Sequence, residues 1–223
     1  MSIIIQEHTT KNPITLIGEE AGCCWGADTT NQKKNYKRGL DCLKLNHGRT
    51  LEFPQVYFIA DGYSAKCIRE LYTHIGGAPT RLQASTRYID YSDFPCIIPP
   101  TISKEPERLE VFNKLISETR NTIQKLKELG VPNEDATMVL PLCMETKMVE
   151  RTNLRNLIDM AHQRKCTRAY WEFRVLFSDL EKVLSDYSEE WEYIVKNYFK
   201  PKCDVLGYCS EKKSCGRNKK KED

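Results

Sequence analysis

The sequence has no long apolar run and no strong excess of charge of either sign. The three isoleucines near its start lack the basic segment that precedes the apolar part of a secretory signal, and no stretch approaches the roughly 18 apolar residues of a membrane span. Lys and Arg number 34 against 31 Asp and Glu, a formal charge of +3. This balance excludes a broad basic face. The sequence therefore predicts a cytoplasmic protein that binds neither nucleic acid nor membrane.

Several motifs of nucleotide and metal chemistry are also missing. The sequence contains no Walker loop, no complete G-x-G-x-x-G and no H-E-x-x-H. Its ten cysteines are too scattered for a disulfide scaffold, and in a reducing cytosol we expect free thiols without a catalytic role. Near the end, Cys203, Cys209 and Cys215 follow a C-x5-C-x5-C spacing. A zinc site needs a fourth ligand and no histidine follows these three, so we expect no metal.

Apolar residues recur at helical spacing in most of the chain and form shorter extended runs elsewhere. Helices are predicted over 33–46, from the cap Ser64 onward, and over 107–129, 154–164, 168–184 and 189–198. Extended segments are predicted over 13–18, 52–59 and 141–152. Two glycines and a proline within 76–79 indicate a loop. The irregular alternation of strands and helices is typical of a mixed α/β domain.

Three polar clusters interrupt these regular patterns and are candidates for a functional site. They lie at 46–52, 74–88 and 153–164. In the second, glycines and arginines together offer backbone N–H groups and guanidinium groups that can bind an anion. An ordinary turn with solvated arginines would have the same composition, and the third cluster would also suit a solvated helix face with an Arg155–Asp159 pair.

Taken in chain order, these clusters resemble the signature segments of the flavin-dependent thymidylate synthases (ThyX). The segment THIGGAPTRLQASTRY, residues 73–88, is similar to the family signature RHRxxSxxxxSxR followed by tyrosine, and its closing half matches well. Upstream, NHGRTLEF resembles the family's His-x-x-x-x-Glu segment. Downstream, ATMVLPL, TNLRNLIDMAHQR and AYWEF follow the order of the family's VLPL, N-x-R with a terminal Arg, and AQWE elements. The resemblance covers roughly residues 14–175.

The resemblance implies an FAD-dependent enzyme that methylates dUMP to dTMP, with methylenetetrahydrofolate as one-carbon donor and NADPH as reductant. It implies an α/β (α+β) fold, with a central antiparallel-type sheet flanked by helices. Residues 1–186 would form the catalytic domain and 187–223 a C-terminal extension with a cysteine-containing basic tail. The family acts as a homotetramer with sites shared between subunits. A related dUMP-modifying enzyme, such as a hydroxymethylase, and a non-catalytic flavin- or nucleotide-binding homologue remain alternatives.

The resemblance also implies a role for each matching residue. Arg164 would contact the uracil ring and favour ionisation at N3. The implied catalytic residues are Arg164, His47 and Ser85. The implied dUMP-binding residues are Glu70, Gln83, Ser85, Thr86, Arg87, Tyr88 and Arg164. The implied FAD-binding residues are Arg49, Glu52, His74, Gln83, Asn153, Arg155 and Asp159.

Three positions depart from the family pattern, because a neutral residue stands where the family has an arginine. These positions are Thr73, Ile75 and Thr137. Shifted arginines and backbone amides can serve the same anions, so we expect replacements nearby. The candidate replacements are Arg69, Arg81 and the amides of Gly76 and Gly77.

Overall fold

One antiparallel sheet of four strands forms the centre of the molecule. The computed structural model describes residues 1–221, and within them the strands follow the order β1-β2-β4-β3. They are β1 (Ser2–Ile5), β2 (Gln55–Ser64), β3 (Thr80–Gln83) and β4 (Glu145–Asn153). Each neighbouring pair is antiparallel, which confirms the expected α/β (α+β) fold with a central antiparallel sheet.

The two long central strands, β2 and β4, pair along their whole length. Alternate residues of β2, such as Val56 and Phe58, point into the core because successive side chains of a strand face opposite sides. A bulge at Gly62, which has a positive φ of 75°, shifts the register near the end of β2. After this bulge both Tyr63 and Ser64 are buried, and Ser64 begins the next helix.

Ten helices within the described residues surround the sheet or lie outside it. They are α1 (Pro13–Cys24), α2 (Gln32–Lys44), α3 (Ala65–Leu71), α4 (Pro100–Ser103), α5 (Pro106–Glu128), α6 (Asn133–Ala136), α7 (Leu154–Arg164), α8 (Trp171–Tyr187), α9 (Glu189–Tyr198) and α10 (Lys202–Leu206). Short 3-10 turns cover Thr50–Glu52 and Thr137–Val139. Ser64, Asn153 and Ser188 each accept a hydrogen bond from a backbone N–H of the first helical turn, the usual role of an N-cap.

Most predicted elements are confirmed with small shifts at their ends. The helices α2, α5, α7 and α9 begin and end within two residues of the predicted bounds. The helix α8 begins and ends three residues later than predicted. The strand β2 begins three residues and ends five residues later than predicted, and a 3-10 turn includes the first predicted position, Glu52. The loop over 76–79 is also present.

The extended segment predicted over 13–18 is wrong, because these residues form the first half of α1. Pro13 occupies the first helical position, where its missing N–H costs nothing. Gly18 does not end a strand but allows α1 to cross α2 closely. A Cβ atom on Gly18 would lie 1.8 Å from the backbone oxygen of Asn35, and one on Gly39 of α2 would meet α1 in the same way.

The main core lies between the sheet and the helices α1, α3, α7, α8 and α9. Its large members include Phe58 of β2 and Phe173 and Phe177 of α8. The helix α9 adds Trp191 and Ile194, so the chain directly after residue 187 packs in the same core as the residues before it. The division into 1–186 and 187–223 stays a prediction.

A second, smaller core lies under α5. Its buried members are Tyr91, Phe94, Ile116, Ile123 and Met144. Although α5 has 23 residues, Ile116 and Ile123 are its only buried ones within the described chain. Most residues of this long helix are therefore exposed or half-buried.

The C-terminal segment after α9 has little regular structure. It contains the short helix α10 and an isolated parallel bridge between Cys209 and Lys220. Across residues 1–221, no helix combines the length and the apolar content that crossing a membrane requires.

Candidate active site

The guanidinium of Arg164, the last residue of α7, forms hydrogen bonds through each of its three nitrogen atoms and packs one face on an aromatic ring. Its Nη1 donates to Glu70 Oε2 over 2.6 Å and its Nε donates to His74 Nε2 over 2.8 Å. Its Nη2 donates to Thr73 Oγ1 over 3.3 Å, and its Cζ lies 4.5 Å from the ring centroid of Phe173. A planar guanidinium with these contacts has a fixed orientation. The structure thus brings together Arg164, Glu70 and His74, three residues predicted for the site.

His74 is buried, and its ring packs 5.6 Å from the ring of Phe173. Since Nε2 accepts the hydrogen bond from Arg164, the imidazole is neutral and its proton is assigned to Nδ1. Burial first, and then the charges of Arg164 and Arg81, lower the pKa of His74 to about 4. The imidazole therefore stays uncharged at neutral pH and leaves Arg164 as the cation of this group.

Arg81 is not available to an anion, contrary to the expectation that it replaces a missing arginine. It stands opposite Glu150 in the β3–β4 register, and its Nε donates to Glu150 Oε2 over 2.9 Å. Both side chains are buried, at 5% and 0% exposure. Burial raises the pKa of Glu150, which the charge of Arg81 opposes. Arg81 Nη2 also donates to the carbonyl oxygen of His74 over 2.6 Å, so this pair fixes the backbone beside the site.

A second buried carboxylate, Glu172, connects α8 to α3. It accepts hydrogen bonds from the backbone N–H of Ser64 at 2.6 Å, from Ser64 Oγ at 2.5 Å and from Tyr170 Oη at 3.1 Å. Ser64 caps α3, the helix that carries Glu70. The sequence predicted no role for Glu172 or Glu150. The segment AYWEF matched a family element, which was the only signal that pointed towards Glu172.

A second charged group lies at the other end of α7. Glu52 accepts hydrogen bonds from Arg155 Nη1 at 2.6 Å and from Arg49 Nη1 at 3.3 Å. These bonds, with Arg155 the larger influence, lower the pKa of Glu52. A Cβ atom on Gly48 would lie 3.3 Å from Arg155 Cζ, which places this arginine against the turn that follows the exposed His47. Three predicted FAD-binding residues are thus in contact, with His47 close by in the chain.

Asn153 is the N-cap of α7 and is buried beside residues 76–79, which we call the glycine loop. Its Oδ1 accepts a hydrogen bond from the N–H of Asn156 at 2.9 Å. A Cβ atom on Gly77 would lie 1.8 Å from Asn153 Nδ2, and Gly77 has a positive φ of 67°. The loop therefore needs glycine both for its backbone conformation and for its approach to the start of α7.

Residues 83–88, which we call the substrate loop, lie against α6. Arg87 Nε forms an ion pair with Glu134 Oε2 at 2.7 Å, and Ser85 Oγ accepts a hydrogen bond from the N–H of Arg87 at 3.2 Å. Tyr88 is exposed. Across residues 1–221, no hydrogen bond or ion pair joins this loop to Arg164. Within one chain, the predicted dUMP-binding residues therefore form two separate groups.

Neutral side chains form hydrogen bonds with the substrate loop. Thr137 Oγ1 lies 3.1 Å from the carbonyl oxygen of Thr86, and Asn133 Nδ2 donates to the same oxygen over 3.0 Å. Gln83 Nε2 lies 3.4 Å from Thr146 Oγ1 of β4. Thr137, where the family has an arginine, thus holds loop backbone in this chain.

Asp159 does not join the other predicted FAD-binding residues. It is exposed on α7, while Arg155 pairs with Glu52. Asp159 lines a cavity of about 720 Å³, here called the tail cavity, between the end of α7 and the C-terminal segment. Arg164 borders the same cavity.

Comparisons with known proteins identify the family of this chain. The family described as "Thymidylate synthase complementing protein" matches residues 6–187. The flavin-dependent thymidylate synthase of Thermococcus onnurineus is 34% identical over 175 residues, which cover 76% of this chain and 70% of the relative. The chain belongs to the flavin-dependent thymidylate synthases.

Other synthases of this family agree in sequence and in fold. The flavin-dependent thymidylate synthase of Geobacter sulfurreducens is 30% identical over 193 residues, which cover 82% of each chain. The crystal structure of the flavin-dependent thymidylate synthase ThyX from Helicobacter pylori, complexed with FAD and dUMP, superposes with a TM-score of 0.63 at 19% identity. It covers 86% of this chain and 99% of the Helicobacter chain, so the two share a fold.

Proposed function

We propose that this protein transfers a one-carbon unit from methylenetetrahydrofolate to dUMP and reduces it to the methyl group of dTMP, with FAD as cofactor and NADPH as reductant. The observation that carries the proposal is the fixed guanidinium of Arg164 between Glu70, His74 and Phe173. The names of the relatives support the same activity. We also propose that the reaction takes place in the cytoplasm.

The chemistry requires an electron-rich C5 on the uracil ring, and Arg164 suits this requirement. A guanidinium has five N–H donors. Three are directed at Glu70, His74 and Thr73, so two remain for the ring. Donors fixed in this way stabilise negative charge that develops at N3 and O4, and electron density then moves to C5. Since His74 is neutral, it adds no second positive charge beside the guanidinium of Arg164.

The group at the start of α7 fits the anionic part of FAD. Arg49 and Arg155 are both exposed, and they flank the N-terminus of an 11-residue helix whose dipole favours negative charge. Glu52 orients both arginines. When bound and reduced by NADPH, the flavin would supply the hydride that completes the methyl group. Because helical residues rise 1.5 Å each, Arg155 and Arg164 stand about 14 Å apart along α7.

We propose that the complete site forms in a homotetramer. The helix α5 exposes Val111 and Leu115 beside the half-buried Phe112, an apolar face that a second copy would cover. The substrate loop lies apart from Arg164 in its own chain, and in the assembly it would meet the Arg164 of another subunit. Ser85, Arg87 and Tyr88 would then bind the nucleotide from across the interface.

An anaerobic single turnover tests the function. The protein is loaded with FAD, reduced with NADPH, and mixed with dUMP and methylenetetrahydrofolate, and the nucleotide product is identified by mass. We expect dTMP, and we expect Arg164→Ala to lower the rate of its formation at least about 100-fold, as for the loss of a preorganised donor. Arg174→Ala, which changes an exposed arginine of α8, serves as the matched control.

The same experiment separates the alternatives. Hydroxymethyl-dUMP as product would identify a related dUMP-modifying enzyme. Flavin reduction without a change in the nucleotide, in protein that binds both FAD and dUMP, would identify a non-catalytic homologue. Either result would replace the proposed synthase.

A further inference from the structure

The C-terminal segment 200–221 packs against the end of α7 with almost no core of its own. Pro201 and Cys209 are its only buried residues in the described chain. It is held against the end of α7 by surface contacts, such as Arg168 Nη1 to Glu211 Oε2 at 2.6 Å. Exposed ion pairs of this kind stabilise little. Segments too short to bury apolar surface are usually fixed by a disulfide or a metal ion.

Four cysteines line the tail cavity, which this segment closes. Cys203 lies on α10, and Cys209 and Cys215 follow it along the chain. The fourth, Cys166, comes from the turn directly after α7. The sequence spacing shows only the three late cysteines, and the missing fourth ligand is the reason to expect no metal. The fold supplies that ligand from a distant segment.

We propose that Cys166, Cys203, Cys209 and Cys215 bind one Zn²⁺ in a structural four-thiolate site. Four thiolates without an open position are the ligand set of structural zinc. As the side chains stand, no three His, Cys, Asp or Glu groups within residues 1–221 are arranged to hold a metal ion. The thiols therefore have to turn towards the ion when it binds. Zn–S bonds of about 2.3 Å place the sulfur atoms about 3.8 Å apart, and the cavity gives them room to approach.

Cationic side chains line the cavity and can offset part of the charge of four thiolates, and three of them, Arg164, Arg168 and Arg217, already pair with Glu70, Glu211 and Asp204. A Zn²⁺ with four thiolates carries a net charge of −2, and binding releases the four thiol protons. Cationic side chains in the lining outnumber the two carboxylates of Asp159 and Glu211. The cationic side chains are Arg164, Arg168, Lys202 and Arg217.

Two glycines with positive φ lie next to the cysteines of the proposed zinc site and let the backbone turn there. Gly216, directly after Cys215, has a positive φ of 88°, and Gly207, two residues before Cys209, has one of 75°. The ion would fasten the tail to the turn after α7, next to Arg164. Its role would be structural, since all four coordination positions are taken by protein.

The metal content of the full-length protein tests the proposal directly. The protein is purified with a reductant and without chelators, and zinc is measured by mass spectrometry against protein concentration. We expect about one Zn²⁺ per chain. Replacement by Co²⁺ should give the thiolate-to-cobalt charge-transfer bands and the intense visible bands of a tetrahedral site. Folded protein without stoichiometric zinc and without these bands would overturn the site, whatever its synthase activity.

Cysteine variants test which thiols take part. Cys166→Ser and Cys209→Ser should each weaken Zn²⁺ binding by more than the roughly 10- to 100-fold cost of losing an outer-shell partner. Cys23→Ser, which changes an exposed cysteine on α1, is the control and should keep the full zinc content. Where a variant does not fold, thiol titration of the wild-type protein replaces it. Removal of zinc should expose four additional reactive thiols, and an unchanged count would contradict the assignment.

Discussion

Arg164 Nε donates a hydrogen bond to His74 Nε2 over 2.8 Å, so a cation is held by the lone pair of a neutral imidazole. The contact is stable only while the imidazole is an acceptor. Protonation of His74 would set an N–H against an N–H and add a second positive charge beside the guanidinium. The orientation of Arg164 is therefore coupled to the charge of a buried histidine.

The first prediction concerns acid stability. The pKa of His74 is lowered from 6.5 to about 4, so the unfolded chain binds this proton more readily than the folded protein. The stability due to His74 is complete above pH 6.5 and is lost as the pH falls towards 4. The full loss is on the order of 3 kcal/mol. Urea unfolding between pH 7 and pH 4 measures it.

His74→Gln isolates this contribution, because glutamine keeps a polar group but does not titrate. We expect the wild-type protein to lose more stability than His74→Gln over this pH range. His8→Gln changes an exposed histidine and should follow the wild-type curve. Parallel curves for the wild type and His74→Gln would refute the coupling.

The second prediction concerns the Arg81–Glu150 pair. Arg81→Met leaves the carboxylate of Glu150 buried without its partner, which should cost about 3–5 kcal/mol of the free energy of unfolding. Arg81→Met combined with Glu150→Met should recover most of that loss. Chemical denaturation of the three proteins gives the result. If both single and double variants were equally destabilised, the pair would not be the cause.

The third prediction concerns FAD binding at the start of α7. Arg155→Ala removes an exposed cation and a partner of Glu52, and we expect FAD affinity to fall about tenfold or more. Quenching of flavin fluorescence measures the affinity. Arg108→Ala on α5 makes the same change of charge away from this group and should leave the affinity unchanged. Equal losses in the two variants would mean that only overall charge matters.

The fourth prediction concerns the glycine loop. Gly77→Ala needs a left-handed backbone and places Cβ against Asn153, so we expect a loss of about 2–4 kcal/mol. Gly26→Ala is a matched control, since Gly26 has a φ of 59° and nothing lies within 4 Å of its Cβ position. It should cost only about 1 kcal/mol. Thermal unfolding compares the two variants, and an equal fall in Tm would exclude the contact with Asn153.

The sequence predicted elements whose signals are local. The helices α5 and α7 were predicted because apolar residues recur every three or four positions over their whole length. The beginning of α1 resembles a strand in sequence because Ile14, Thr15 and Ile17 are β-branched, and Gly18 resembles a stop signal. What makes that segment a helix is its packing on α2, and no local pattern contains this information.

In the site, too, the sequence indicates individual residues, while the contacts between them depend on the fold. The family resemblance named Arg164, Glu70 and His74, although only folding brings the three together. The Arg81–Glu150 pair depends on the register of β3 against β4, which neither composition nor spacing determines. In the sequence, Arg81 therefore resembles an arginine that is free to bind an anion. In the fold, its guanidinium is already paired with the carboxylate of Glu150.

The position of Trp191 has a practical consequence for anyone who shortens this chain. The family match ends at residue 187, which invites truncation there. Yet the Trp191 indole is completely buried, and its Nε1 donates to the carbonyl oxygen of Thr10 over 2.7 Å. A cut after residue 187 would remove this indole and leave an indole-sized hole beside the N-terminal helices. A fragment that folds by itself has to extend at least through Phe199, the last large side chain of that core.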